Sequence, residues 1–343
     1  MIRKIKNKSK LFPAVSIVIA TFNSERTLPE CLKSVKKQVY PGSVDIIIAD
    51  GGSIDKTLSL AREFNIQVIS IDKEKQNAEY NKAVGLSKAK GDIVLFLDHD
   101  NIMPHKNWIK ALVRPFLEHK EIVIVEPLRF HYDPNMTLLD RYFALYGGSD
   151  PVVYYLGKNS HLSWAYDSYN LLGKAIDCGS YYKVQFSKDK IPALGGNGAA
   201  FRREILLRNA DTEPQNFIHT DVAADLIRNG FNSVAFTKDS IAHLTNNKIA
   251  HFLLRRRHFL QEYYFRKSRK RRFLIYDPKK DTGMLIFYIL LTLTFVVPFL
   301  GALRGFRKIH DYAWFIQPFM CYAFLVVYGF AVVKERIYGF LEK

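Results

Sequence analysis

Five short apolar runs rich in valine and isoleucine, at 15–20, 46–49, 68–71, 93–97 and 122–125, constrain this chain more than any other feature. Helical patterns separate the first four. SERTLPECLKSVKKQ has Ser24 placed as a cap and Leu28, Cys31, Leu32 and Val35 on one stripe. KTLSLAREF follows the second run, and 78–89 follows the third, ending at Lys90-Gly91-Asp92. Runs this short and this continuous suit strands buried on both faces. The order predicts an α/β fold with a mostly parallel, Rossmann-like sheet and helices on both faces. Sheets of that kind bind ligands at the carboxyl ends of their strands. The residues just past each strand are therefore the candidate site: Thr21-Phe22-Asn23, Asp50-Gly51-Gly52-Ser53 and Asp98-His99-Asp100.

The stretch 137–190 is crowded with Tyr, Trp, Gly and Ser and lacks periodicity. Its aromatic content points to a binding wall rather than disorder. Gly195-Gly196-Asn197-Gly198 then forms a turn before a helix near Arg203. A helix over 220–229 closed by Gly230 and a strand over 233–236 follow.

Two later runs, 284–303 and 314–333, contain no charged residue, and each is long enough to cross about 30 Å of hydrocarbon as a helix. Pro298 and Pro318 are tolerable in such helices. Before them, HFLLRRRHFLQEYYFRKSRKRRF places Phe252, Phe259 and Tyr263 on one face and Arg255, Arg256, Arg257, Arg266, Lys267, Arg269 and their neighbours around the rest. A basic amphipathic helix beside membrane helices reads as lying on anionic lipid. The formal net charge of +17 agrees with an acidic partner. The start, 1–20, imitates a signal peptide, but its apolar part is short and no small-residue cleavage site follows. It reads as a basic tail and then a strand, which keeps the head in the cytosol. Cys31, Cys178 and Cys321 lie far apart and form neither a disulfide framework nor a metal knuckle. The expected organisation is a basic tail at 1–12, a catalytic domain at 13–250 divided near 125 into a nucleotide half and an acceptor half, a juxtamembrane region at 251–283 and a transmembrane hairpin with its tail at 284–343.

Asp98 and Asp100 are the sharpest chemical signal. Two carboxylates at a strand's ligand-binding end suit Mg²⁺ or Mn²⁺, ions that bridge to substrate phosphates. His99 between them reads as structural.

VSIVIATFNSERTLPECLKSV, DIIIADGGSIDKT, GDIVLFLDHD and GGNGAAFRREIL, in this order over about 13–243, resemble the successive motifs of family 2 glycosyltransferases, which have the GT-A fold. The resemblance implies base and ribose contacts from Thr21, Asn23, Glu25 and Asp50. It implies a divalent ion and ribose held by Asp98 and Asp100, and an acceptor side shaped by Gly195, Gly196 and Asn197, with Trp164 and nearby tyrosines stacking on sugar rings. It also implies a general base at Asp221, with Asp225 one turn on as the fallback, and a metal or diphosphate contact at His243. The chain departs from the family pattern at Tyr80, where an Arg is expected, which leaves Lys75 or Lys82 as the diphosphate contact, and at Thr220, where a first acid is expected.

The implied reaction is inverting, metal-dependent transfer from a nucleoside-diphosphate sugar to a hydroxyl of a membrane-linked saccharide. The chain would sit at the cell membrane with its catalytic domain in the cytoplasm. A polyprenyl-phosphate glycosyltransferase is the nearest rival. A processive synthase would carry a Q-x-x-R-W motif, which is absent, and a membrane-anchored nucleic-acid binder would carry a recognised motif, which is also absent.

Overall fold

The computed structural model describes residues 12–341 except 246–247 and 267–269. All of the basic tail but Phe12, and the Lys267 and Arg269 of the expected lipid-facing helix, fall outside them. The chain divides into two compact units. One comprises the chain up to Leu128 and Gly173–Leu244; the other comprises Arg129–Leu172 and the chain from Thr245 onward. The segment 129–172, expected in the acceptor half of the catalytic domain, thus groups with the C-terminal helices.

The first unit opens with β1 (Val15–Thr21), α1 (Leu28–Lys36), β2 (Val44–Asp50), α2 (Thr57–Glu63), β3 (Gln67–Ser70), α3 (Ala78–Lys88), β4 (Ile93–Asp98), β5 (Asn101–Ile102), α4 (Trp108–Glu118) and β6 (Ile122–Phe130). The chain then makes α5 (Leu138–Tyr146) and α6 (Pro151–Tyr155) of the second unit. It returns with β7 (Lys174–Asp177), β8 (Tyr181–Gln185), β9 (Ala199–Arg202), α7 (Arg203–Asn209), α8 (His219–Arg228) and β10 (Ser233–His243). The second unit resumes with α9 (Ile249–Leu260), α10 (Pro278–Thr294), α11 (Val296–Lys308) and α12 (Gln317–Leu341).

The strands form one sheet in the order β3-β2-β1-β4-β9-β6-β10-β8-β7, with β5 on β10. All seven residues of β1 are buried, as a strand covered on both faces requires. Its polar Ser16 side chain donates to Asp45 at 2.8 Å and accepts from the Gly91 amide at 2.8 Å. The expectation of full burial fails at β3, which is half-exposed because it is the edge strand. The expected parallel pairing holds for β1 with β2 and β4 and for β2 with β3, while β9 lies antiparallel between β4 and β6. Ser24 does not cap α1. The cap position is Thr27, and the Ser24 carbonyl instead accepts from the Thr27 and Leu28 amides. The expected stripe of Leu28, Cys31, Leu32 and Val35 is buried. Trp108 on α4 is buried and donates to the Ser240 carbonyl at 2.7 Å, which fixes α4 on β10.

The aromatic stretch that read as a binding wall contains α5 and α6, and several of its rings are core. Tyr142, Phe143 and Tyr146 pack with Phe252, Trp314 and Phe324 in the second unit, all nearly inaccessible. Arg256, expected on a lipid-facing surface, turns inward and pairs with Asp150 at 2.6 Å, and Tyr328 donates to the same carboxylate at 2.7 Å. The apolar run 284–303 is not one straight helix. It breaks at Phe295, whose φ is +60°, and α10 and α11 meet at 79°. Pro298 sits in the first turn of α11, where a missing N–H removes no helical hydrogen bond. Among the described residues one helical stretch, Tyr312–Glu335, is long and apolar enough to cross a membrane, and a second exists only if the bent pair counts as one span.

α3 lies close against β1 because position 85 is glycine: a Cβ there would meet Val18 Cγ1 at 2.4 Å. Gly85→Ala gains helix propensity of about 1 kcal/mol and is nonetheless expected to lower stability by about 1–3 kcal/mol through overpacking. Urea denaturation of the two proteins side by side would measure it, and a stabilised variant would refute the packing argument.

Candidate active site

Register brings the first three site residues to one edge. In the parallel pairing of β1 with β2 and β4, Thr21 lies opposite Asp50 and Ala20 opposite Asp98. A one-residue slip would turn these side chains to the other face. Asp50 is buried and closes the turn that follows it. Its Oδ1 accepts from Thr21 Oγ1 at 2.8 Å and Ser53 Oγ at 2.6 Å, and its Oδ2 accepts from the Gly52 and Ser53 amides at 3.0 and 2.8 Å. A carboxylate offers about four acceptor positions, so this turn uses all of them. Asn23 (φ +48°) and Glu25 close the same loop pair: Asn23 Oδ1 accepts from the Ile54 amide at 3.0 Å and Glu25 from the Lys56 amide at 3.0 Å.

The acidic pair past β4 is held from both sides. Asp98 Oδ1 pairs with the Lys82 ammonium at 2.7 Å, and Lys82 is only 4% exposed. Burial works against that charge, but the carboxylates of Asp98 and then Glu79 outweigh it and hold the ammonium protonated above its ordinary range. Asp100 Oδ2 lies 3.4 Å from His243 Nε2. The antiparallel pairing of β5 with β10 sets His243 opposite Asn101, and the Leu244 amide donates to the Asp100 carbonyl at 2.9 Å. Burial would raise the Asp100 carboxyl; the His243 imidazole outweighs it and holds the group below the usual carboxylate range. His99 turns away to Thr27 Oγ1 at 2.7 Å. The Cys31 thiol touches the Asp98 carbonyl and is pushed up by burial and then by Asp100 and Asp98, so it is inert.

Among the described residues no group of three or more His, Cys, Asp or Glu is arranged to hold a metal ion. The fit to a divalent cation rests on one atom: buried Asp100 Oδ1 has no hydrogen-bond partner. Hard cations of this kind take one or two carboxylates and complete their shell with phosphate oxygens and water, and an orphan carboxylate oxygen beside a second acid suits that.

The glycine turn faces this cluster. Gly195 (φ +97°) passes so near α8 that a Cβ would meet the His219 carbonyl at 2.6 Å, and one on Gly196 would lie 3.5 Å from His219 Nε2. Asn197 Oδ1 accepts from Asn101 Nδ2 at 3.2 Å, while Asn101 Oδ1 accepts from the Asp98 amide at 2.9 Å. Asp221 is fully buried in the first turn of α8, where the helix dipole favours a carboxylate. Thr220 Oγ1 points to it at 3.4 Å. Asp225, the fallback, accepts from the Asp211 amide at 3.2 Å. Trp164 belongs to the second unit, donates to the Phe130 carbonyl at 2.9 Å and carries the Arg129 guanidinium over its ring.

Sequence reasoning missed the link between α3 and α8. Glu79 accepts from His219 twice, at its amide (2.8 Å) and Nδ1 (2.7 Å). Asp98–Lys82 and Glu79–His219 are direct contacts, and the Lys82 and Glu79 charges attract one turn apart on α3, so the four residues link the acidic pair to the turn bearing Asp221. The available signal was Asn77, whose side chain caps α3 at the Glu79 amide and so fixes Glu79 in the first turn. Lys82, which with Lys75 was one of two lysines expected at a diphosphate, pairs with Asp98.

This is a mixed α/β sheet whose strand ends converge on carboxylates and a glycine turn, an arrangement of the nucleotide-sugar-binding GT-A class. The sequence model of Glycosyl transferase family 2 matches residues 16–208, and the chain belongs to that family. It is 29% identical over 136 residues to the glycosyltransferase AglE of Haloferax volcanii, a match covering 38% of this chain and 44% of that protein. It is 32% identical over 116 residues to the dolichyl N-acetyl-alpha-D-glucosaminyl phosphate 3-beta-D-2,3-diacetamido-2,3-dideoxy-beta-D-glucuronosyltransferase of Methanococcus voltae, a match covering 31% and 35%. The chain thus spans less than half the length of these relatives. A solved structure of glucosyl-3-phosphoglycerate synthase from Mycobacterium tuberculosis, in complex with Mn²⁺, uridine diphosphate and phosphoglyceric acid, aligns with TM-score 0.48 at 20% identity, covering 77% of this chain and 81% of that one.

Burial would raise the Glu79 carboxyl, but His219 and then Lys82 bring it down to about 2. A carboxyl depressed in the fold contributes stability that is complete above its ordinary value of 4.5 and is lost as pH falls toward 2. Glu79→Gln should therefore destabilise the protein by about 2 kcal/mol near neutrality, with the gap closing below pH 4.5. Denaturation midpoints at matched pH values would test this; a gap of constant size would show that the ion pair is not the stabilising contact.

Proposed function

We propose that this chain is an inverting, metal-dependent glycosyltransferase that moves a sugar from a nucleoside-diphosphate sugar to a hydroxyl of a membrane-linked saccharide. The acceptor class is a lipid-linked oligosaccharide or a growing surface polysaccharide. The observation that carries this reading is the convergence of the β1, β2 and β4 ends with the glycine turn and α8, through the Asp98–Lys82–Glu79–His219 link. Family membership supports the reaction class.

The donor lies along the carboxyl edge, with the base and ribose toward Thr21, Asn23, Glu25 and the Asp50 turn, and the diphosphate toward Asp98 and Asp100. Asp98, Asp100 and His243 are the residues that would hold Mn²⁺ or Mg²⁺, which when bound supplies positive charge to the departing diphosphate. The acceptor oxygen attacks the anomeric carbon from the face opposite the diphosphate. The new C–O bond forms as the anomeric C–O bond to phosphate breaks, and its electron pair leaves with the diphosphate. The acceptor's proton goes to the Asp221 carboxylate. Gly195, Gly196 and Asn197 shape the acceptor side. His219 is a second assignment for the proton acceptor, favoured by one observation: Glu79 fixes its Nδ1 side, which leaves Nε2 facing the Gly196 turn.

We infer that the C-terminal helices attach the enzyme to the membrane, with the catalytic unit in the cytoplasm. Tethering raises the local concentration of a membrane-bound acceptor.

Thermal-shift titration with a panel of nucleotide sugars in Mn²⁺ is expected to find one that stabilises the wild type and leaves Asp100→Asn unmoved; a panel with no response refutes the donor reading. Asp221→Asn should then reduce transfer to a saccharide hydroxyl by about 10²–10⁴-fold. Transfer to a lipid monophosphate needs no base, so full activity of Asp221→Asn with a lipid monophosphosugar product identifies the polyprenyl-phosphate rival. Loss in His219→Asn with retention in Asp221→Asn moves the proton acceptor to His219.

A further inference from the structure

The C-terminal helices carry an apolar surface that the core of their own unit leaves uncovered. Ile286 and Leu290 on α10, Leu300 on α11, and Phe319, Val326 and Phe330 on α12 are each more than half exposed. Exposed lysines and arginines flank these helices: Lys279 at the start of α10 and Arg304, Arg307 and Lys308 near the end of α11. An apolar face with a cationic rim suits the acyl region of a leaflet under anionic headgroups.

Contacts within this unit fix which side of a bilayer the helix ends occupy. Lys158 pairs with Asp281 in the first turn of α10 and donates to the Ile275 carbonyl at 2.7 Å. At the other end of the bent pair, Lys308 pairs with Asp167, and the Arg304 guanidinium lies 4.5 Å from the centre of the Tyr166 ring. Both ends are therefore tied to one stretch, 157–172, which is neither helix nor strand. Backbone of that kind is tolerated at membrane depth only where protein buries it, and Gly157, Asp167, Ser168 and Asn170 are exposed, so the stretch does not lie across hydrocarbon. The apolar part of α10 after Gly283 is only about 16 Å long at 1.5 Å per residue, roughly half the core of a bilayer.

α12 is tied down midway. Gln317 accepts from Tyr142, and Tyr328 meets Asp150 and Arg256 about 16 Å further along the axis. Were α12 upright with Gln317 at the interface, the Asp150–Arg256 pair would lie near the middle of the hydrocarbon. The exposed Arg255, Arg257 and His258 of α9 would go with it.

We propose that the second unit is monotopic: α10, α11 and α12 lie within one leaflet with their outward apolar face in the acyl chains, and none of them reaches the opposite side. This rests on the membrane attachment proposed above and differs from a spanning hairpin, which the sequence alone does not separate from a re-entrant one. The exposed loop residue His310 and the exposed Glu335 near the far end of α12 are then on the same side as the catalytic unit.

The test uses the full chain in right-side-out and inverted vesicles. Flotation of the vesicles first establishes attachment; a chain that stays in the soluble fraction refutes attachment and the topology together. The partly exposed native Cys178 reports the side of the catalytic unit to an impermeant maleimide. His310→Cys and Glu335→Cys, each in a Cys178→Ser background, report the two helix ends. All three should label in the same vesicle orientation, with at least tenfold preference, and protease added from the opposite side should leave the chain intact. Labelling of either engineered cysteine from the side opposite Cys178, or cleavage near 310 from that side, overturns the single-leaflet arrangement while leaving attachment standing.

Discussion

The site depends on one buried ammonium. Lys82 lies on α3 beneath the carboxyl edge of the sheet, almost wholly out of water, and a cation there is tolerable only with carboxylates against it. Asp98 and Glu79 meet that demand from different directions, so satisfying one charge fixes three elements at once: β4 through Asp98, α3 through both residues and α8 through the Glu79–His219 contact. The placement of Lys82 follows in turn from Gly85, one turn further along, which lets α3 close on Val18 of β1. Removing Asp98 would strip the ammonium of its direct partner, and removing Glu79 would weaken its compensation, so the arrangement is held by its electrostatics as much as by its packing.

The first half of the fold was legible in the sequence because its determinants are local. A strand buried on both faces has to be a continuous apolar run, and β1, β2 and β4 are such runs; the acids that matter sit where those runs stop. What was not legible depends on pairings between distant segments. β9 enters between β4 and β6 from some seventy residues downstream of β6, and nothing in the run 199–202 announces its antiparallel direction. The aromatic stretch read as a binding wall for a similar reason: composition says that rings are present, while only tertiary contacts say whether they face a ligand or Trp314. His219 was invisible because its role comes from Glu79, 140 residues earlier.

Asp50 shows where a motif and its local physics part. Four donors from its own turn and from Thr21 occupy the carboxylate. In this state the aspartate organises the loop that presents Asn23, Glu25 and Ser53 at the strand end. A side chain satisfied in this way stiffens the wall of a pocket, and a base seated there would meet a preset edge rather than one assembled on binding. Asp100 is the contrasting case: one of its buried oxygens has no hydrogen-bond donor. The difference between the two acids, one saturated and one open, separates a scaffold carboxylate from one suited to a cation.

The excess of basic residues illustrates how helix geometry divides one run of charge among several tasks. Arg255, Arg256 and Arg257 are consecutive, and successive side chains point about 100° apart around a helix axis. The middle arginine is therefore directed into the core against Asp150 and Tyr328 while its neighbours face outward. Lys158 and Lys82 are likewise spent inside, on Asp281 and Asp98. The charge left for an external partner is thus smaller than the count of +17 implies, and among the described residues it includes a rim beside apolar helices. A duplex would need cations aligned with its phosphates. A leaflet needs them only at one level above a greasy face, and the C-terminal helices supply that pattern.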